Sequence, residues 1–204
     1  MMDALSILKT FFSADMVIYA AIIIIALTAL ARCTLPLSRV AGKLRRAART
    51  IVTESKQNKE KKSWNDIHFL GDELSGTWAD FLQNAEMRDA HGETCDVSQY
   101  INEDSVIFAL GNTGFADLAP GVMTSLGILG TFLGLVMGLS GLSLNGADTE
   151  VVLKAMDQLI RGMSTAFLTS IVGVCGSLLF NLLNNRATSK CQKAIDRFCE
   201  VFGL

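Results

Sequence analysis

From Leu118 to Leu144 the chain has no charged residue, and from Gly162 to Asn185 it has no Asp, Glu, Lys, Arg or His. It has two histidines, His68 and His91, far apart, and five cysteines, Cys33, Cys95, Cys175, Cys191 and Cys199, that form no C-x-x-C pair. An odd number of irregularly spaced cysteines reads as free thiols rather than a disulfide framework, and no metal site is expected from these residues. No phosphate-binding glycine loop and no nucleophile–base pair is visible, so the chain does not read as an enzyme and calls for no cofactor. Eighteen Lys and Arg against 20 Asp and Glu leave a net charge of −2. No basic patch is interleaved with aromatics, so direct nucleic-acid binding is not expected.

What is present is apolar surface. Half of the 204 residues are hydrophobic, which fits a membrane protein with a polar portion. Met16 to Ala31, Leu118 to Leu144 and Gly162 to Asn185 are the apolar runs. A crossing takes about 20 residues; the first run is short, but extends through Phe11 and Phe12 despite Asp15. The fold class expected is an all-α integral membrane protein with three transmembrane helices and helices extended into the cytoplasm. Residues 1–35 form the periplasmic N-terminus and first span, 36–115 a cytoplasmic helical region, and 116–144 the second span. Residues 145–157 form a short periplasmic link, and 158–204 the third span with the start of a cytoplasmic tail.

Charge orients these spans. Arg32, Arg39, Lys43, Arg45, Arg46 and Arg49 follow the first, and Arg186, Lys190, Lys193 and Arg197 follow the third. The link between the second and third has Lys154 against Asp148, Glu150 and Asp157. The positive-inside rule puts the N-terminus outside and the C-terminus inside, in a bacterial inner membrane. The alternative is a cleaved signal peptide ending near Ala29-Leu30-Ala31. Against it, the n-region has only Lys9 beside Asp3, and the strong positive cluster follows the segment.

In the cytoplasmic portion, Leu37, Val40, Leu44, Ala48, Ile51 and Val52 recur at helical spacing, predicting an amphipathic helix that continues from the first span. Leu70, Leu74, Trp78, Phe81 and Ala85 predict a second helix, and Ile101 to Leu110 a short third. Lys56 to Lys62 reads as a solvated helix end or a lipid-headgroup contact, and Glu86 to Ser98 as a loop. Gly111, Gly114 and Pro120 are expected to break the pattern before the second span. Ala187, Cys191, Ile195, Phe198 and Phe202 carry the third helix on into the cytoplasm.

Two spans carry small and polar faces. One is Thr124, Gly127, Thr131, Gly134 and Gly138, with Gly130 and Gly134 in a small-xxx-small ladder; the other is Ala166, Ser170, Gly173, Ser177 and Asn181. Such faces either pack on one another or line one interior. Proton relays use an ionisable group, and neither span supplies one. A conducting path would therefore take its carboxylate from a partner, with Thr131, Ser170, Thr169 and Thr165 as the hydroxyls to face it. Gly127, Gly130, Gly134, Gly138 and Gly173 are the expected packing positions.

Two motifs carry a resemblance. Gly127 to Gly134 reads G-x-L-G-T-x-x-G, and Gly162 to Gly173 reads G-x-x-x-A-x-x-x-S-x-x-G. The chain resembles the MotA/TolQ/ExbB proton-channel family, with a three-span topology similar to the TolQ and ExbB branch. GTWADFLQNA (Gly76 to Ala85), YINEDSVIF (Tyr100 to Phe108) and APGVMTSLGILGTFLGL (Ala119 to Leu135) resemble its ZorA branch, motor subunits of Zorya anti-phage systems. The resemblance covers residues 64 to 185. It implies a homopentamer around a dimer of a single-span ZorB-like subunit, which brings a membrane Asp and a peptidoglycan-binding domain. It also implies that Thr131 and Ser170 face that aspartate, and that proton flow turns the pentamer. ZorA proteins carry a long cytoplasmic helical tail, of which Leu204 leaves almost none, as a natural end or a cut from a longer protein. A TolQ- or ExbB-like envelope energiser and a non-conducting scaffold are the alternative functions.

Overall fold

The computed structural model describes residues 4–57, 63–91, 94–140 and 149–203, with backbone alone for 4–15 and for 57, 140, 149–151, 155, 158 and 165. Among the described residues the fold is all-α, with no strand. Five helices dominate: α1 (Ala4–Ala29), α2 (Leu35–Gln57), α3 (Ser75–Asp89), α4 (Thr113–Ser140) and α5 (Thr149–Phe202). They divide into two compact units. Unit one holds α1, α4 from Asp117, and α5 as far as Asn181; unit two holds residues 30–116 and 182–204.

Three helices are long and apolar enough to cross a membrane, which makes this a multi-pass membrane protein. In unit one the outward side chains are hydrocarbon. Ile24 and Leu27 of α1, Phe132 and Val136 of α4, and Ile171 and Leu178 of α5 are all more than half exposed. In water such a surface would be untenable; in lipid it is the ordinary outside of a helix bundle.

Inside unit one the contacts are close because side chains are missing where α4 meets α5. A methyl added at Gly134 would come within 2.6 Å of Ala166 Cβ, and one at Gly173 within 2.7 Å of the Met123 carbonyl. One at Gly127 would stand 3.2 Å from Ser170 Cα. The glycine ladder therefore lies against the Ala166–Gly173 face within one chain, as small-residue faces do in lipid. Of the two arrangements open to these faces, packing on one another is the one observed. α1 joins the seam through Ile18, whose Cδ1 lies 3.4 Å from a Cβ built on Gly130.

Unit two has an aliphatic and aromatic core. Leu37, Val40, Leu44 and Ala48 of α2 and Ala187, Cys191, Ile195 and Phe198 of α5 are buried, as their spacing predicts. Trp78 has no exposed surface. It stacks on Phe81 at 4.8 Å, meets Phe198 and Phe202 edge-on, and donates its indole N–H to the Trp64 carbonyl at 3.1 Å.

Several boundaries differ from the sequence expectation, each for a local reason. α1 and α2 join through a π turn, Leu30–Thr34; Pro36 lacks the N–H that would bond back to Arg32, and the ladder slips register to absorb it. Leu70 and Leu74 are buried but precede α3, because Gly71 at φ 90 breaks the helix and a 3-10 turn, Asp72–Leu74, follows. α3 runs to Asp89, inside the expected loop, and Asp96 caps a 3-10 turn at Val97–Gln99. The segment 104–108 is a π helix rather than an α-helix. The break before α4 is at Gly111 and Asn112 (φ 44), and α4 then runs through Gly114 and Pro120. α5 starts at Thr149, inside the stretch read as the link. Residues 145–148 of that link and 58–62 of the lysine-rich run lie outside the described residues.

Candidate functional site

The α4–α5 seam carries one conspicuous polar contact. Thr131 Oγ1 and Ser170 Oγ are 2.5 Å apart, and the Gly127 carbonyl oxygen lies 3.1 Å from the first and 3.0 Å from the second. Both side chains are half-buried. Thr131 reaches the carbonyl because it sits four residues beyond Gly127 on the same helix, where a threonine hydroxyl can bond back to i−4. Ser170 reaches it from α5 because Gly127 and Gly173 have no side chains. Any Cβ at either position would hold the two backbones apart.

Two hydroxyls have two protons, and the three oxygens make three close contacts. One hydroxyl donates to the Gly127 carbonyl and the other donates to the first hydroxyl. Exchanging the roles of Thr131 and Ser170 costs two O–H rotations and no heavy-atom movement. Each arrangement leaves lone pairs on the half-exposed side, where a further donor can bond. Rotating one O–H outward would offer a donor instead. The pair can therefore accept from a protonated acid and donate to an ionised one, but cannot titrate.

The other sequence candidates fall elsewhere. Thr169 has no exposed surface, donates to the Ala166 carbonyl at 2.7 Å, and stands where a methyl at Gly130 would strike it. It is a packing group in the seam rather than a group on the open side, because it is one residue, about 100°, around α5 from Ser170. The side chain of Thr165 is outside the described residues. Gly127, Gly130, Gly134, Gly138 and Gly173 all face α4–α5 contacts, Gly138 the loosest, with Leu159 Cδ1 3.4 Å from a built Cβ. Spacing placed both hydroxyls on small-residue faces. It did not reveal that they would meet in one chain, nor that a backbone carbonyl would be the third member. The glycines at 127 and 173, small at the same height on two helices, were the available signal.

Outside the spans the polar groups read as structural. His68 Nδ1 pairs with Asp72 at 3.0 Å on the surface, and His91 Nδ1 meets the Met87 carbonyl at 2.8 Å. Lys43 pairs with Glu73, holding that carboxyl below its usual range. Burial pushes the Cys191 and Cys199 thiols up to about 11, which marks inert core cysteines. Among the described residues no cluster of His, Cys, Asp and Glu could hold a metal ion.

With this geometry in view, relatives are informative. A family model described as "Anti-phage protein ZorA, Zorya type I system" matches residues 6–203. The chain belongs to the ZorA family. One similar protein, the Zorya protein ZorA of Escherichia coli O139:H28 (strain E24377A), is 28% identical over 140 residues. That match covers 64% of this chain and 19% of the relative. Another, the Zorya protein ZorA of the Escherichia coli Crooks strain, is 43% identical over 67 residues, 33% of this chain and 11% of the relative. The matched region is thus a small part of each curated ZorA.

Proposed function

We propose that this chain is the membrane motor subunit of an anti-phage defence complex, and that it works as a MotA/TolQ/ExbB-type proton channel rather than as an enzyme. Five copies surround two copies of a single-span, ZorB-like partner in the bacterial inner membrane, with the N-terminus outside and the C-terminus inside. The partner brings a membrane Asp and a peptidoglycan-binding domain that anchors it to the wall. The single observation that carries this reading is the Thr131–Ser170 hydroxyl pair, half-open to its surroundings in a seam without an ionisable residue.

The chemistry follows from the pair's two donor arrangements. When the partner's aspartate is ionised, an outward O–H stabilises the carboxylate; once it is protonated, the pair accepts from the acid. The switch costs hydroxyl rotations alone, so the hydroxyls ease the passage of a carboxyl that changes charge. The titrating proton belongs to the partner. Proton flow through successive subunits then drives rotation of the pentamer around the partner dimer. Membership of the ZorA family supports the anti-phage task over envelope energisation.

The test is Thr131→Val with Ser170→Ala in the complex reconstituted with its partner. A hydrogen bond to a charged group is worth about 1.5–3 kcal/mol, so proton uptake should fall by about tenfold or more, with oligomer mass unchanged. A double variant that assembles, takes up protons and protects cells like wild type would leave the scaffold reading standing in its place.

A further inference from the structure

Unit two carries two clefts of opposite charge that share no residue. One, about 630 Å³, lies between α2 and α5 and is rimmed by Arg45, Arg49, Lys193 and Arg197 over a floor of Ala48, Val52 and Val201. The other, about 780 Å³, is rimmed by Glu86, Asp89 and Asp96 over Trp64, Phe81 and Phe202. All seven charged side chains are exposed. Arg197 has Glu200 at 3.8 Å. Among the described residues no carboxylate stands within ion-pair distance of Arg45, Arg49 or Lys193.

Two of the acids are poorly served by their own chain. Glu86 and Asp89 occupy the last turn of α3, where the helix dipole disfavours negative charge and an external cation would relieve it. Asp96 accepts hydrogen bonds from the N–H and hydroxyl of Ser98, which hold its carboxyl below the usual range and keep it ionised. Spacing matches as well. Arg45 and Arg49, like Lys193 and Arg197, are one helical step of four apart, about 6 Å along the axis; Glu86 and Asp89 are about 4.5 Å apart. The aromatic floor of the acidic cleft suits the aliphatic stems and guanidinium planes of incoming arginines.

A lipid headgroup is the competing ligand for the basic cleft. Lys193 and Arg197 lie 8 and 12 residues beyond Asn185, about 12–18 Å along α5. The headgroup layer on one side is about 5–8 Å thick. The cleft is therefore beyond the reach of a membrane that ends near Asn185.

We propose that the basic cleft of Arg45, Arg49, Lys193 and Arg197 on one copy receives the carboxylates Glu86, Asp89 and Asp96 of the next copy. Two different, complementary patches on one chain make a head-to-tail contact, the kind that generates a ring when the rotation between copies closes. The contact is an electrostatic latch in the cytoplasmic unit, separate from the glycine seam of the spans. It rests on the self-assembly proposed above but not on proton conduction.

The experiment is zero-length carbodiimide cross-linking of the full chain with its partner in membranes, read by mass spectrometry of joined peptides. Two variants are coexpressed. One has Lys193→Arg and lacks the amine; the other has Glu86→Gln, Asp89→Asn and Asp96→Asn and lacks the acids. A joined peptide linking Lys193 to Glu86, Asp89 or Asp96 should form in the mixture and in neither variant alone, since only contact between copies can make it. A wild-type pentamer by native mass spectrometry with no such peptide in the mixture would overturn the latch and leave assembly intact. A wild-type monomer would remove both. Anionic lipid retained by wild type and lost in Arg45→Glu/Arg49→Glu, without the joined peptide, would give the cleft to lipid and equally overturn the latch. As a second measurement, reversing the basic pair should lower the salt concentration at which the ring dissociates. Reversing Glu86 and Asp89 to Lys in the same chain should restore it.

Discussion

Exchanging one methyl group across the α4–α5 seam isolates the role of the glycine ladder. In Gly134→Ala the new Cβ would stand 2.6 Å from Ala166 Cβ and 3.3 Å from Ala166 Cα. Carbon atoms rest at about 3.5–4.0 Å, so α4 and α5 must part by about an ångström. A gap of that size forfeits a quarter to a half of each contact along the seam, and overpacking of this kind costs about 1–3 kcal/mol. Ala166→Gly removes the obstructing Cβ. What then remains nearest to the new methyl is Ala166 Cα at 3.3 Å and the Gly162 carbonyl at 3.5 Å, a tight but tolerable fit. Helix propensity nearly cancels in the pair, since one glycine is lost and one gained. Thermal unfolding in detergent, with oligomer mass in parallel, should show Gly134→Ala destabilised and Gly134→Ala/Ala166→Gly restored to within about 1 kcal/mol of wild type. Gly176→Ala is the control. Its nearest neighbours would be Ile22 at 3.7 Å and Met123 at 3.8 Å, ordinary contacts, so stability should hold or rise slightly. If Gly134→Ala is neutral, or the exchange is no better than the single change, the seam is not packed as described.

Further outcomes follow from the same structure. Gly134→Leu, with a much larger side chain at the same point, should abolish assembly, and an intact oligomer by native mass spectrometry would contradict it. This chain alone in liposomes should take up no protons, because its seam holds no titrating group; uptake without the partner would refute the need for a partner carboxylate. Trp78→Ala, which removes the centre of the aromatic cluster of unit two, should cost about 3–5 kcal/mol, measured by loss of near-ultraviolet circular dichroism on heating. The raised thiols of Cys191 and Cys199 carry a pH signature. Above an unfolded value of 9.0 the unfolded chain loses these protons while the folded chain keeps them until about 11. Stability should therefore decline as pH rises through that window, and not below it. Replacing both cysteines by Ala should flatten that decline.

The helices of the spans and of unit two's core were legible because their periodicity is strong. Leu37, Val40 and Leu44, or Ala187, Cys191 and Phe198, repeat at helical intervals and are buried as that spacing requires. The breaks were less legible. Gly114 and Pro120 look like punctuation yet lie within α4: Pro120, eight residues in, forgoes the backbone bond to the Ala116 carbonyl, a loss that helices of membrane proteins tolerate when neighbouring groups satisfy the freed carbonyl. Gly71 and Asn112 do break the chain, each at a positive φ. Thr169 and Ser170 show the same limit at the site. Both are hydroxyls next to one another, and which one meets Thr131 depends on the rotation of α5 against α4.

By itself the sequence determined that there are three apolar helices, that none carries a proton-titrating side chain deep in the second or third, and that glycines would let helices approach closely. These are properties of composition and period, local to each segment. The tertiary structure decided that the two small faces close on each other within one chain, bringing Thr131, Ser170 and the Gly127 carbonyl to within about 3 Å, and that Thr169 belongs to the packing. It also gathered Arg45 with Lys193 and Glu86 with Asp96 into opposed clefts. Those outcomes turn on distances between segments tens of residues apart, set by which side chains are absent at the crossing and therefore how near two backbones can come.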